Sequence, residues 1–227
     1  MNIPIVTLDK IFINIDEENI YFLDCTRLNG TNEIISRKSE SLDSQIDRLT
    51  RTINSKKIIL ADDVIFSGTV IKTIIKKFKE KNIEVVRVLS SICSNEGYDY
   101  FNSNLKYGVI TNYIMYDVID QVCERDFYFG IAGSGIMIRT DNGLFKAPYF
   151  MPYGNPNERA SIPIDKELDF SKECLRRSIY LWNEIDKLRC NNTIIRELPE
   201  SIINTNMDDE VVKTLKKEMK RIWKNYK

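Results

Sequence analysis

The hydrophobic pattern of residues 57–89 predicts a strand, a helix and a second strand. Four apolar residues at 58–61 show no polar alternation, which is typical of a short parallel strand covered on both faces. Apolar side chains then recur with helical spacing up to about residue 81, and the other face of this segment is rich in lysine. Residues 84–89 predict the next strand. Such a βαβ unit is right-handed and binds its ligand beyond the carboxyl ends of the strands.

The flanking segments extend this unit into an α/β domain. Further strands are predicted at 11–14, 19–24 and 107–116, and further helices at 42–53 and 95–105. We therefore expect an α/β fold with a mainly parallel sheet flanked by helices, followed by a helical C-terminal extension. The predicted division is a core of residues 1–145 and an extension of residues 146–227.

The extension begins with a proline-rich segment and ends with two amphipathic helices. Residues 146–163 contain four of the six prolines and three aromatic residues, which predicts an ordered loop. This loop either forms a lid over a base or attaches the extension to the core. The helices carry two apolar stripes, one of Leu175, Ile179, Trp182, Ile185 and Leu188, the other of Val211, Leu215, Met219, Ile222 and Tyr226. Both stripes are core faces or homodimer faces.

The opposite face of the last helix is basic. Its lysines are Lys213, Lys216, Lys217, Lys220 and Lys224, and the nearby acidic residues are Asp208, Asp209, Glu210 and Glu218. Because the acidic residues dilute the positive charge, the sequence favours a solvated face and predicts no nucleic-acid partner.

Composition restricts the chemistry that the chain can perform. Its 33 cationic and 33 anionic residues give a net charge of zero, and hence no electrostatic argument for binding nucleic acid or membrane surfaces. The absence of histidine excludes the most common general base and imidazole metal sites. The five cysteines are odd in number and widely spaced, so we expect reduced, mostly buried thiols and neither a zinc site nor a disulfide framework.

The pattern of the chain predicts a cytoplasmic protein without a membrane partner. The N-terminal residues lack the charged and apolar regions of a secretory signal, and no apolar run approaches the ~18 residues of a membrane span.

Residues 62–69 combine two acidic residues with a glycine-containing loop at the start of a helix. Gly68 allows close approach of the backbone to a phosphate, the N–H groups at the helix start point at it, and the hydroxyls of Ser67 and Thr69 add donors. Asp62 and Asp63 repel a phosphate, but they can accept hydrogen bonds from sugar hydroxyls or hold a divalent cation through water. A ribose 5-phosphate satisfies both halves of the motif.

Acidic pairs after a buried strand also occur in other protein classes. Receiver domains and P-loop proteins contain them, and a strand-end aspartate can simply cap the next helix. However, the chain has no Gly-x-x-x-x-Gly-Lys-Ser/Thr sequence, and receiver domains carry their acidic pair near the start of the chain. The sugar-phosphate interpretation is therefore favoured.

The block ADDVIFSGTVI resembles the phosphoribosyl diphosphate (PRPP) motif of type I phosphoribosyltransferases. The resemblance covers residues 11–130 and implies a phosphoribosyltransferase-like fold. It assigns the ribose hydroxyls to Asp62 and Asp63, as the catalytic residues, and the 5-phosphate to Phe66, Ser67, Gly68 and Thr69. The implied reaction transfers a phosphoribosyl group from PRPP, a small-molecule substrate, to a nitrogen acceptor, with Mg²⁺ bridging the pyrophosphate.

Two arginines are candidates for binding the same substrate. Arg27 precedes Gly30 in a segment similar to the pyrophosphate loop of the family, although a hairpin turn with a solvated arginine is an equal alternative. Arg125 and Asp126 resemble an Arg-Asp pair of the purine-type members, but a structural ion pair with nearby residues is favoured over that role.

The chain departs from the family in two places. Phe66 stands where the purine enzymes have an acid, so a 6-oxopurine acceptor is not expected. The region before the motif is short, which leaves little room for a loop that excludes water. A non-catalytic protein that senses PRPP or a nucleotide is therefore the alternative function. A nucleoside phosphate hydrolase is a third interpretation.

Overall fold

The computed structural model describes residues 3–9, 18–29, 31, 33–120, 122–199 and 201–225. The predicted strand at 11–14, Gly30 and Tyr226 lie outside these residues. The chain divides into two compact units, the first formed by residues 1–27 and 31–118 and the second by residues 28–30 and 119–227. The boundary expected at residue 145 falls inside a strand of the second unit.

The first unit contains a five-stranded parallel sheet. The strands of this unit, five in the sheet and two in a separate pair, are β1 (Ile5–Thr7), β2 (Ile20–Phe22), β3 (Thr26–Arg27), β4 (Ile34–Ile35), β5 (Lys57–Ile65), β6 (Glu84–Ser94) and β7 (Val109–Met115). The sheet has the order β2-β1-β5-β6-β7, and β3 and β4 form a separate antiparallel pair. The predicted strands β2, β5, β6 and β7 are confirmed, whereas β1 was not predicted because its three residues are too few to show a pattern.

Three helices accompany the sheet, and all three were predicted. They are α1 (Leu42–Thr52), α2 (Thr69–Glu80) and α3 (Asn95–Asn104). Helix α1 begins after Ser41, whose hydroxyl accepts a hydrogen bond from the Ser44 N–H at 3.1 Å. Helix α2 buries Ile71, Ile74 and Phe78, the apolar face expected from the spacing.

The strand order places a topological switch point between β1 and β5. From β1 the chain continues to β2 on one side, and the later strands are added on the other side, beginning with β5. In open parallel sheets, ligands bind outside the carboxyl ends of the strands at such a point. Asp9 follows β1 here, and Asp62 and Asp63 lie near the end of β5.

The second unit consists of a hairpin and two long helices. The hairpin strands β8 (Ile136–Thr140) and β9 (Gly143–Ala147) were not predicted, because a glycine-rich segment precedes them. Helices α4 (Glu167–Arg189) and α5 (Val211–Asn225) confirm the helical extension. The chain therefore has an α/β fold with C-terminal helices.

The proline-rich loop belongs to the core of the second unit. Phe150 and Tyr153 are buried, and the ring centroids of Tyr153 and Phe129 are 5.2 Å apart. Helix α4 buries Leu175 and Trp182 as expected, but Leu188 is 86% exposed. At about 100° per residue, the rotation accumulated from Leu175 carries Leu188 to the opposite side of the helix.

The five cysteines all lie in the described part of the chain and are free thiols. Cys25, Cys93 and Cys174 are buried, Cys123 is partly buried and Cys190 is exposed. The helices of the described residues include none that is both long and apolar enough to cross a membrane.

Candidate functional site

The acidic pair lies within strand β5, whereas the sequence predicted that it directly follows the apolar run 58–61 at the end of the strand. The strand continues to Ile65 because Val64 and Ile65 still pair with β6. Both acidic residues are half-buried, and each carboxylate accepts a hydrogen bond from the N–H of the residue that follows it. Asp62 Oδ1 accepts the Asp63 N–H at 3.1 Å, and Asp63 Oδ1 accepts the Val64 N–H at 2.7 Å. The two acids are thus held by the backbone at the end of the central strand.

Asp62 is held in an environment that disfavours its charge. Burial, and then the negative charges of Asp63 and Asp9, raise the pKa of the Asp62 carboxyl to about 7, although the hydrogen bond from the Asp63 N–H acts in the opposite direction. A carboxyl group with a strongly raised pKa at the carboxyl edge of a parallel sheet is typical of a functional site.

Gly68 connects β5 to helix α2 in a conformation that few other residues adopt. It has φ 69° and ψ 10°, in the left-handed region, and it is buried. A Cβ at this position would lie 2.9 Å from two ring atoms of Phe101. Because Gly68 has no side chain, no side-chain cap satisfies the first N–H groups of α2. These groups form the type of helix start that binds phosphate or carboxylate.

Neighbouring residues hold the turn that leads into the helix. Ser94 Oγ donates a hydrogen bond to the Phe66 carbonyl at 2.6 Å and accepts one from the Gly97 N–H at 3.1 Å. The hydroxyls of Ser67 and Thr69 are hydrogen-bonded to each other at 2.9 Å. The backbone of the turn is therefore fixed by α3, while Phe66 remains 41% exposed.

Lys72 is a cation beside this turn that the sequence analysis did not select. The Cε atom of Lys72 lies 3.5 Å from the position that a Cβ at Gly68 would take. The Nζ atom of Lys72 lies 3.9 Å from the ring centroid of Tyr100. In the sequence it is one of several lysines of α2. Its position depends on the packing of α3, for which no local signal exists.

The two candidate arginines belong to other elements than the segment β5-α2. Arg27 is exposed on β3. Arg125 belongs to the second unit, where it is exposed in the short 3₁₀ helix Glu124–Phe127 and lines a cavity of 740 Å³ with Arg176 and Tyr180. Their roles in binding a substrate remain predictions.

Asp126, the neighbour of Arg125, takes part in the structural ion pair considered from the sequence. Its partner is Arg159, whose Nε lies 2.8 Å from Asp126 Oδ2. The other carboxylate oxygen accepts the Gly135 N–H at 2.9 Å. The pair therefore stabilises the turn before β8.

A buried polar network follows strand β2. Asp24 accepts hydrogen bonds from Ser36 Oγ at 3.0 Å and from Nη1 of Arg37 at 3.0 Å, and Gln45 Nε2 donates to Ser36 Oγ at 2.9 Å. Burial acts to raise the pKa of Asp24, but Arg37 outweighs it and the pKa lies below its ordinary value. The residues are too far apart in sequence for the network to be predicted.

This network lies within electrostatic reach of Asp62. Burial raises the pKa of the Cys25 thiol to about 12, and the charges of Asp62 and Arg37 act on the same thiol in opposite directions. Arg37 is therefore a further cation that acts on the same thiol as Asp62, and it is already paired with Asp24.

The acidic pair is suited to bind magnesium through water or through a substrate. Mg²⁺ is commonly held by one or two carboxylates together with water and substrate phosphates. Within the described ranges, no three Asp, Glu, Cys or His side chains form a group that could hold a metal ion. Comparison of the chain with protein-family models, curated proteins and solved structures gives no match.

Proposed function

We propose that the first unit binds PRPP or a nucleoside monophosphate and transfers a phosphoribosyl group to a nitrogen acceptor with the help of Mg²⁺. One observation carries this proposal. A single strand-turn-helix segment joins two half-buried carboxylates at the end of β5 to the uncapped amino end of α2. A phosphorylated pentose has hydroxyls that can donate hydrogen bonds to the carboxylates and a phosphate that can accept them from the N–H groups at the start of α2.

The two parts of the segment have different roles in this proposal. Asp62 and Asp63 accept hydrogen bonds from the ribose hydroxyls and stabilise the positive charge that develops on the sugar in an oxocarbenium-like transition state. The N–H groups that follow Gly68, with the hydroxyls of Ser67 and Thr69, bind the 5-phosphate. Phe66 is exposed enough to contact the ligand.

Mg²⁺ would be held by the carboxylates of Asp62 or Asp63 through water, and it would supply neutralising charge for the pyrophosphate. Arg27 is the cation of the first unit that the resemblance assigns to the same group. Arg37 is less accessible to a ligand, because Asp24 already binds its guanidinium at 3.0 Å. The exposure of Arg27 on β3 and the pairing of Arg37 with Asp24 favour the second candidate, a PRPP or nucleotide sensor that regulates a partner without turnover.

Thermal unfolding with PRPP and MgCl₂ tests the binding part of the proposal. We expect PRPP to raise the melting temperature of the wild-type chain. Asp63→Asn should lower the affinity for PRPP by about tenfold and so reduce this rise, because a hydrogen bond to a charged group contributes about 1.5–3 kcal/mol. Asp99→Asn is the matched control, since Asp99 is exposed on α3. Unchanged melting with PRPP, ribose 5-phosphate and nucleoside monophosphates would refute the proposed ligand class.

A turnover assay separates the candidate activities. A transferase consumes PRPP only when Mg²⁺ and a suitable base are both present, and it releases pyrophosphate. A sensor binds PRPP and releases it intact. A hydrolase releases phosphate or ribose 5-phosphate from a nucleoside phosphate without any acceptor.

A further inference from the structure

Helix α5 concentrates positive charge in a chain of zero net charge. It contains six cationic residues and one acidic residue, whereas the whole chain has 33 of each sign. The cationic residues are Lys213, Lys216, Lys217, Lys220, Arg221 and Lys224, and together they line one surface depression. Charges of one sign are therefore gathered on one face of the second unit.

The acidic residues lie just before the first turn of α5 or are turned inward: Asp208, Asp209 and Glu210 line a depression with Lys213 and Lys217. The side chain of Glu218 is only 15% exposed, and its carboxylate lies 2.8 Å from Nε of Arg221. Asp208 is paired with Arg196, and Glu210 with Lys213 at 2.5 Å. The dilution is therefore confined to the start of α5, because a rise of about 1.5 Å per residue places Lys220 and Lys224 about 15–21 Å along the helix from Glu210.

Four of the lysines carry no ion pair with any residue in the described part of the chain: Lys216, Lys217, Lys220 and Lys224. Like charges three or four residues apart destabilise a helix. The helix dipole compensates for cations only in the last turn, which here contains Lys224. Helix stability therefore does not explain the arrangement.

An exposed tryptophan lies among these lysines. Trp223 is 57% exposed, and its spacing places it beside Lys220 and one turn further from Lys216. Nζ of Lys172, on α4, lies 5.2 Å from the centroid of its ring. The other tryptophan, Trp182, is buried and donates a hydrogen bond to the Phe129 carbonyl at 2.8 Å. Exposed aromatic rings surrounded by cations are the stacking platforms of proteins that bind single-stranded nucleic acid.

The apolar face of α5 is already occupied. Val211, Leu215 and Ile222 are buried in the core of the second unit. A membrane-surface helix inserts such a face into the lipid, and α5 has none to offer. We propose that the face of α5 formed by Lys216, Lys217, Lys220, Trp223 and Lys224 binds single-stranded nucleic acid, with the lysines on the phosphates and a base stacked on Trp223.

Titration of a fluorescein-labelled oligo(dT) with the full chain, followed by anisotropy at several NaCl concentrations, tests the lysine contacts. Each phosphate contact contributes about 0.7 to the slope of log affinity against log salt for single strands. Lys216→Gln/Lys220→Gln is therefore expected to lower the slope by about 1.4. Lys76→Gln/Lys79→Gln, on the exposed face of α2, is the matched control and should leave the slope unchanged.

The stacking contact has its own measurement. We expect Trp223→Ala to weaken oligo(dT) binding by about tenfold, since stacking contributes about 1–3 kcal/mol per base. Oligo(dT) should quench the tryptophan emission of the wild type but not that of Trp223→Phe, in which the buried Trp182 remains. The proposal is overturned if both α5 variants bind oligo(dT) as tightly as the wild type does, or if the α2 control loses as much affinity as they do. It is also overturned if phosphatidylserine vesicles or polyglutamate bind to the chain more tightly than oligo(dT) does.

Discussion

Gly68→Ala is expected to lower the free energy of unfolding of the first unit by about 2–5 kcal/mol and to abolish stabilisation by PRPP. A left-handed backbone costs a residue with a Cβ about 1–2 kcal/mol, and crowding in a packed interior costs about 1–3 kcal/mol. Both apply here, because φ is 69° and the added Cβ would lie 2.9 Å from Phe101. Hydrogen exchange of the amides of β5 and β6 measures the loss within this unit.

Gly133→Ala is the matched control for the backbone contribution. Gly133 has φ 68° with no atom within 4 Å of its Cβ position, so we expect a loss of about 1–2 kcal/mol, measured on the amides of β8 and β9. In the Phe101→Leu background, Gly68→Ala should cost less than in the wild type, since the smaller side chain relieves the crowding while the backbone strain stays. Equal losses at the two glycines would show that contact with Phe101 does not hold the turn.

Asp62→Asn is expected to stabilise the first unit at pH 8 by about 2–4 kcal/mol and to have little effect at pH 4. The pKa of Asp62 is about 7 in the folded chain, above its unfolded value of about 3.9. Between these values the unfolded state loses the proton first, so ionisation lowers the stability of the wild type by up to about 1.4 kcal/mol per pH unit. Asparagine cannot ionise, and its amide oxygen still accepts the Asp63 N–H. Chemical unfolding at several pH values, followed by far-UV circular dichroism, measures the difference.

Asp47→Asn provides a control of opposite sign. The hydrogen bond from Lys81 holds the pKa of the exposed Asp47 below its ordinary value, so its ionised form favours the folded state. That contribution is present above the unfolded pKa and is lost as the pH falls through the folded pKa. Asp47→Asn removes this contribution and should therefore lower the free energy of unfolding slightly at neutral pH. A stabilisation by Asp62→Asn that is the same at pH 4 and pH 8 would contradict the raised pKa of Asp62.

Local apolar patterns predicted the strands and the helix of the segment that forms the candidate site, but they did not predict where strand β5 ends. The segment β5-α2-β6 is confirmed because its strands and helix have unbroken apolar patterns of sufficient length. The end of β5 was misplaced, since a strand extends as far as its neighbour pairs with it, here to Ile65 opposite Cys93 of β6. The three residues of β1 become a strand through pairing with both β2 and β5.

The side chains around the site depended on contacts between distant parts of the chain. Asp62, Asp63 and Gly68 lie within one short segment of the sequence, so they could be selected together as candidate site residues. Lys72 and the hydroxyl of Ser94 acquire their positions from α3, which packs beside the turn. The network of Asp24 and Arg37 joins three separate segments.

The amino-acid order alone established the α/β class, the helix positions and the juxtaposition of acids with a phosphate-type helix start, because each rests on interactions between residues close in the chain. Tertiary packing established the half-burial that raises the pKa of Asp62 and the contact of Gly68 with Phe101. It also turned Glu218 inward and left Lys216, Lys217, Lys220 and Lys224 without an ion pair among the described residues. Burial and pairing are properties of the whole fold, since they arise where segments distant in sequence exclude water from one another.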